Sequence, residues 1–422
     1  MTEPSGPGFL VTGARVDASG VLYDILVRAD EIRAVTPVAA RAGQPPGDAG
    51  VPVTDLGGRA VIPGLVDAHV HLDKAYQLAA LDRLGVSPGR GLPGAIAATR
   101  ELRTMISIDD VRAGMRRVLR RMAATGTVAA RAHVEIDVHT DPALIREHRE
   151  LAAEHPHLRL QFVAFPQNGT SHDPRAQRRL ERALDDGCAV VGGCPYADPD
   201  PVRHLNLVTA LARDRHLPLD LHLDLTDDPE RSQADLVLSR VERTGLAGRV
   251  TVGHLTALAS MRAGQRDRLI KRLAELDVAV VSLPTTDLWL SGRDGEPAIR
   301  GLTPIRSLLA AGVRVALGTN NHQNAFTPVG AGGLLRVAWL VSLVAHVGDA
   351  VGQQALLDAV TSAPAGILGR DQWGIRPGSR APLLVIDAED PLDAVREAPG
   401  ILARLGLPPP DREDQQPGAG RV

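Results

Sequence analysis

Residues 109–134 read DDVRAGMRRVLRRMAATGTVAARAHV. The first part sets apolar side chains at helical spacing (Val111, Met115, Val118, Leu119, Met122), with two acids at its start and a stop at Gly126. A short apolar run follows, TVAARAHV, of the kind a strand buried on both faces requires, and it ends in a histidine. Helix, glycine and apolar strand make one unit of an α/β fold.

The unit recurs. Candidate strands are LVDAHVH (65–71), TVAARAHV (127–134), LRLQFVAF (158–165), CAVVGG (188–193), LPLDLHLD (217–224), RVTVGH (249–254), DVAVVSL (277–283) and VRVALG (313–318). Helical segments such as TPIRSLLAAG lie between most of them. This alternation predicts an α/β fold, a (β/α)8 TIM barrel rather than an open doubly wound sheet. Before it, FLVTGARV, LYDILVRAD and IRAVTPV are β-like runs broken by Gly, Pro and Asp. After it, PGSRAPLLVIDAED suits one more strand, able to pair with that N-terminal segment. The expected organisation is a small β-sandwich from residues 1–62 and 369–405, a barrel over 63–368, and a disordered tail over 406–422, which is rich in Pro, Gly and charge.

Composition narrows the function. The 422 residues are 44 % apolar and 23 % charged, the balance of a soluble globular protein. Apolar stretches such as AWLVSLVAHV are too short to span a bilayer, and MTEPSGPGF lacks the order of a signal peptide. A net charge of −3 with interspersed signs supplies no basic stripe for nucleic acid. Two cysteines, Cys188 and Cys194, form no disulfide framework. The expectation is a cytoplasmic homo-oligomer acting on a small molecule, with neither nucleic acid nor membrane as partner.

In such a barrel the chemistry sits at the carboxyl ends of the strands. Those ends carry His69 and His71, His133 and Glu135, His222 and Asp224, His254, then Asn320 and Asn321, with Gln167 after the third strand and Cys194 after the fourth. His69 and His71, two apart on one strand, face the same way, and neutral imidazole is a common zinc or iron ligand. Hydrogen-bonded barrel histidines without a metal are the plainer alternative.

VIPGLVDAHVHLDK, RAHVEID, QFVAFPQNG, LHLD, VTVGHLTAL and the stretch to TPVG resemble the amidohydrolase superfamily, in its cytosine-deaminase-like branch. The resemblance runs in order over nearly the whole chain. It implies a metal-dependent barrel with a β-sandwich from both chain ends, and one divalent metal, zinc or iron, on His69, His71 and His222. It makes His254 the histidine over the metal's water and Gln167 the residue that holds a heterocyclic amide.

Two departures stand out. The family's proton-shuttling glutamate, three residues after the strand-5 histidine, is Leu225 here, and the strand-8 aspartate pair is Asn320 and Asn321 in LGTNNHQN. Asparagine offers a neutral ligand oxygen and accepts no proton near neutral pH, so metal occupancy is in question. Candidate substitutes are His322, Asp227, Asp228, His133, Glu135, Asp224 and Cys194, with His322 preferred. Asp227 and Asp228, before Pro229, also read as helix N-caps. Lys74, one of two lysines in a chain that otherwise uses arginine, is a candidate substrate-binding residue. Trp289 and Phe326 are expected as apolar walls.

Three readings stay open: a hydrolase of C–N bonds in a nitrogen heterocycle, cyclic amide or amidine, with an atypical mononuclear metal site; a metal-free or weakly metallated isomerase, cyclase or lyase of specialised metabolism; and a non-catalytic small-molecule binding protein. The catalytic set of the first reading is His254, Asn320, Asn321 and His322.

Overall fold

The computed structural model describes residues 8–41, 50–293, 301–330, 332–380 and 382–407. The expected tail from residue 408 lies outside them. Two compact units divide the chain: Met1–Val66, Met122–Ala129 and Gly333–Val422 form one, Asp67–Arg121 and Ala130–Gly332 the other. The helices after Gly333 thus cluster with the terminal segments, whereas the sequence reading carried the barrel on to residue 368.

The first unit holds two small sheets. Strands β1 (Phe9–Ala14), β2 (Tyr23–Arg28), β3 (Glu31–Pro37) and β4 (Val53–Asp55) pair in the order β3-β2-β1-β4. Strand β5 (Val61–Pro63) joins a second sheet with two C-terminal strands, Leu383–Ile386 and Ile401–Leu405. Val11, Ile25, Val27 and Ile32 from one sheet pack with Val61, Leu383 and Val385 from the other, which makes the pair a β-sandwich.

Eight parallel strands build the barrel: β6 (Leu65–Val70), β7 (Thr127–Glu135), β8 (Arg159–Phe165), β9 (Val190–Gly193), β10 (Leu219–Leu223), β11 (Val250–His254), β12 (Ala279–Ser282) and β13 (Val315–Leu317), hydrogen-bonded in chain order. All nine residues of β7 are buried, as a strand covered on both faces requires. Closure comes from main-chain bonds beyond β13. Asn320 donates its N–H to the carbonyl of His69 at 2.9 Å and accepts from the N–H of His71 at 2.9 Å, so Val70 and Asn320 bridge in parallel. Gly318 makes this approach possible, since a Cβ there would sit 2.8 Å from the His69 carbonyl oxygen.

Between strands, local chemistry sets the helices. Helix Ile108–Ala124 begins with Asp109 and Asp110 and ends with Arg121, charges that suit its dipole. Helices Pro174–Asp185 and Pro201–Asp214 each start at proline, with Asp173 and Asp200 capping them. Among the described residues no helix is long and apolar enough to cross a membrane.

A candidate metal centre at the barrel mouth

On β10, Leu219, Leu221 and Leu223 alternate with Asp220 and His222, as the two-residue period of a strand dictates. The same alternation on β6 and β7 groups His69, His71, Arg131 and His133 with them. The lower layer is a buried polar network. Arg131 donates to Asp220 at 2.7 Å and to Thr251 at 3.2 Å, and His133 Nε2 lies 3.3 Å from the other Asp220 oxygen. Above it, one nitrogen from each of His69, His71 and His222 comes within 4.8 Å of the others, and His71 Nε2 lies 3.1 Å from His222 Nε2. The ring of His69 stacks on His133 at 3.8 Å.

The cluster fits a divalent cation. Among the described residues, both ring nitrogens of His69 and the Nδ1 atoms of His71 and His222 are buried without a hydrogen-bond partner, a costly state unless something accepts them. Burial, reinforced by the neighbouring imidazoles and, for His71 and His222, by Lys74, pushes all three well below the ordinary histidine range, so the rings are neutral, the form that ligates metal. Asn320 adds a buried amide whose oxygen and nitrogen are both unpartnered among the described residues. Its φ of +58° is a left-handed conformation that asparagine and aspartate tolerate better than other side chains.

His71, His222, His254, Asn320 and Asn321 line a small pocket, joined by Lys74 and Gln167. His254, at φ +72°, is held by Asp287: its Nδ1 lies 2.6 Å from Asp287 Oδ1, while the other carboxylate oxygen accepts the N–H of Leu283 at 3.2 Å. Burial raises the Asp287 carboxyl, and His254 opposes the rise. Lys74 is 1 % exposed, donates to Gln167 Oε1 and pairs with Glu135 at 3.2 Å. Arg103 adds contacts to Glu135 at 3.4 Å and Asp73 at 3.0 Å. Burial pushes Glu135 upward, but Lys74 and Arg103 outweigh it and hold the carboxyl at about 2.

Other candidates fall elsewhere. His322 is buried but does not line the pocket; its Nε2 lies 3.0 Å from Thr319 Oγ1, and burial lowers it to about 4. Trp289 is 41 % exposed and lies under the guanidinium of Arg293, 5.1 Å from its ring centre, while Phe326 does line the pocket and packs 5.3 Å from the Lys74 ammonium. Asn321 is tied into its loop by Thr286 at 3.4 Å and Asn324 at 2.8 Å. Asp228 caps the short turn Pro229–Arg231, Asp227 accepts the N–H of Gly292 at 2.7 Å, and Asp224 is taken by Ser232 and the N–H of Gln233. Cys194 is buried, its thiol pushed up to about 12. Sequence reading missed Asp287, whose place in PTTDLWL reads as an ordinary first turn, and Asp67, which ties β6 to Thr319 and is raised by burial to about 6.

A closed eight-stranded barrel gathering histidines at the carboxyl ends of its strands, with a sandwich from both chain ends, defines an amidohydrolase-type enzyme. Residues 97–404 match the amidohydrolase family model, and the chain belongs to that family; its relatives include deaminases and an amidohydrolase, which are hydrolases of C–N bonds other than peptide bonds. It is 28 % identical over 412 residues to a pterin deaminase of Rhizobium rhizogenes, across 92 % of this chain and 90 % of that protein. Its structure resembles 5-methylcytosine deaminase from Klebsiella pneumoniae liganded with 5-fluorocytosine (TM-score 0.84, 27 % identity, 94 % of this chain and 95 % of that one). It also resembles N-isopropylammelide isopropylaminohydrolase from Burkholderia multivorans (TM-score 0.79, 28 % identity, 95 % and 100 %).

Proposed function

We propose that this protein hydrolyses a C–N bond of a nitrogen heterocycle, with one divalent metal, zinc or iron, held by His69, His71 and His222 and the neutral Asn320 beside them. The observation that carries this reading is the pocket that brings His71 and His222 together with His254, Lys74 and Gln167. The relatives named pterin deaminase, 5-methylcytosine deaminase and N-isopropylammelide isopropylaminohydrolase support the substrate class.

Bound there, a divalent metal would polarise the substrate and lower the pKa of water. The chain's own groups do the rest. Lys74 donates to Gln167 Oε1, which leaves the Gln167 amide N–H groups to donate to a ring carbonyl or ring nitrogen. Asp287 accepts from His254 Nδ1, which fixes the tautomer with Nε2 as the acceptor. As water's oxygen bonds to the ring carbon, His254 Nε2 takes its proton. The imidazolium then returns that proton to the departing nitrogen as the C–N bond breaks, releasing ammonia or an amine. This one dyad takes over what Leu225, Asn320 and Asn321 cannot do.

Metal-reconstituted protein should release ammonia or amine from at least one of cytosine, pterin and N-isopropylammelide, and a His254→Gln variant should lose that release. One observation favours a second reading, ligand binding or rearrangement without hydrolysis: no carboxylate lines the pocket among the described residues. Tight binding of such a ring without any C–N cleavage would establish that reading in place of the first.

A further inference from the structure

The pocket above the histidines has room for about 10 Å³, one water's worth of space. No ring enters it as it stands, so hydrolysis of a heterocycle there requires one of its walls to move. The candidate walls are those of Leu92, Tyr196, Leu225 and Phe326.

Three of them are pinned by hydrogen bonds. In the loop of Phe326, Asn324 Oδ1 accepts the N–H groups of Phe326 at 3.0 Å and Thr327 at 3.2 Å, and the Thr327 hydroxyl meets that of Thr286 at 2.9 Å. After Leu225, the N–H of Thr226 donates to Thr256 Oγ1 at 3.0 Å, and that hydroxyl donates to the carbonyls of Asp224 and Thr226. Tyr196 lies in the short turn Pro195–Ala197, where the N–H of Ala197 meets the Cys194 carbonyl at 3.2 Å.

Leu92 is held differently. It belongs to helix Gly91–Arg103, which packs with helix Leu78–Leu84 over the mouth. Leu81, Ala95, Ala98 and Leu102 of this pair share one apolar cluster with Leu225 and Phe326. Apolar contact is non-directional, so the two surfaces can part without stranding a hydrogen bond. The turn between the helices holds Gly85, Gly89 and Gly91 at φ +71°, +63° and +61°, a conformation that suits glycine. Its outer ends are fixed, Leu78 by its N–H to the Gln323 carbonyl at 2.9 Å and Arg103 by Asp73 and Glu135. Between them, Arg100 Nη2 donates to Oδ1 of Asn168, the residue after Gln167, at 2.7 Å.

Resting on the heterocycle reading above, we propose that helix Gly91–Arg103 and the glycine turn before it form a gate over the histidine pocket, clasped shut by Arg100 on Asn168. Opening carries Leu92 away from the histidines and admits the ring. Closing brings the clasp down beside Gln167 and shuts out bulk water.

The test reads access to His254, which lines the pocket and is not among the proposed metal ligands. Metal-loaded protein is treated with diethylpyrocarbonate, and labelling of His254 is followed by peptide mass spectrometry, with the exposed His216 as internal standard. Arg100→Ala should speed His254 labelling about three- to tenfold, the worth of one hydrogen bond. Arg100→Cys/Asn168→Cys joined by a reducible bis-maleimide should slow it by about tenfold or more, and reduction should restore it. Cys188 and Cys194 are buried and stay out of that reaction. Equal His254 rates in parent, Arg100→Ala and cross-linked protein would overturn the gate. So would release of ammonia or amine from cytosine, pterin or N-isopropylammelide at full rate with the cross-link in place. Labelling that follows the clasp, with none of the three rings turned over, would uphold the gate and overturn the hydrolysis reading alone.

Discussion

His254 and Asp287 face each other across 2.6 Å inside the barrel mouth, both of them buried. The bond sets which imidazole nitrogen carries the proton and therefore which one faces the pocket. Asp287→Asn keeps the size and replaces the acceptor with a group that can turn either way. It should lower kcat by roughly 10²- to 10⁴-fold, the range of a positioned acid–base group, with KM and metal content little changed. A variant as active as the parent would remove His254 from the proton's path.

The metal reading turns on Asn320. Plasma mass spectrometry of protein purified without added metal should find up to one equivalent of zinc or iron, and His71→Ala should abolish it. Asn320→Asp puts a negative ligand where an amide without a partner among the described residues stands, and should raise resistance to chelators by tenfold or more. No change in metal retention would place the Asn320 side chain outside the coordination sphere.

Glu135 links the site to acid stability. Its folded-state carboxyl, held at about 2 by Lys74 and Arg103, lies below the ordinary value of 4.5. A depressed carboxyl contributes stability that is present above the unfolded value and lost as pH falls toward the folded one. Denaturant melts should therefore weaken between about pH 4.5 and 2, and Glu135→Gln should flatten that slope while lowering the neutral-pH plateau. Identical pH slopes in parent and variant would contradict the ion pair.

Arg131 and Asp220 are both fully buried and 2.7 Å apart. Arg131→Met would strand the Asp220 charge in the barrel interior, at a cost of about 3–5 kcal/mol. The double variant Arg131→Met/Asp220→Asn should recover part of the loss. Chemical denaturation read by far-ultraviolet circular dichroism checks both, and additive losses would mean that the two residues do not act as a pair.

Much of this was legible in the sequence because parallel strands buried on both faces announce themselves. Each of the eight apolar runs became a barrel strand within a residue or two of its expected bounds, and the histidines at their ends converged. PLLVID formed the strand Leu383–Ile386 against Val61–Pro63, as its hydrophobic run suggested. Residues defined by partners across the barrel were not legible. Asp287 is one of several acids near helix starts, and nothing in PTTDLWL marks it as facing a histidine 33 positions earlier. The pull of His322 came from its nearness in sequence to Asn320, but the loop folds back and gives its imidazole to Thr319. The sequence suggests Trp289 as a wall, yet the side chain is 41 % exposed and lies beneath Arg293.

The seam at Asn320 places an unusual restriction on how this centre can change. Its backbone zips the last strand to the first, and its left-handed φ admits few residue types, chiefly Asn, Asp and Gly. Those three differ little in how they let the barrel close but completely in what they present to a cation: a neutral oxygen, a charge, or nothing. One codon can thus retune the chemistry of the mouth while the main-chain seam stays shut, and a charge introduced at this buried position depends on a bound cation to offset its desolvation.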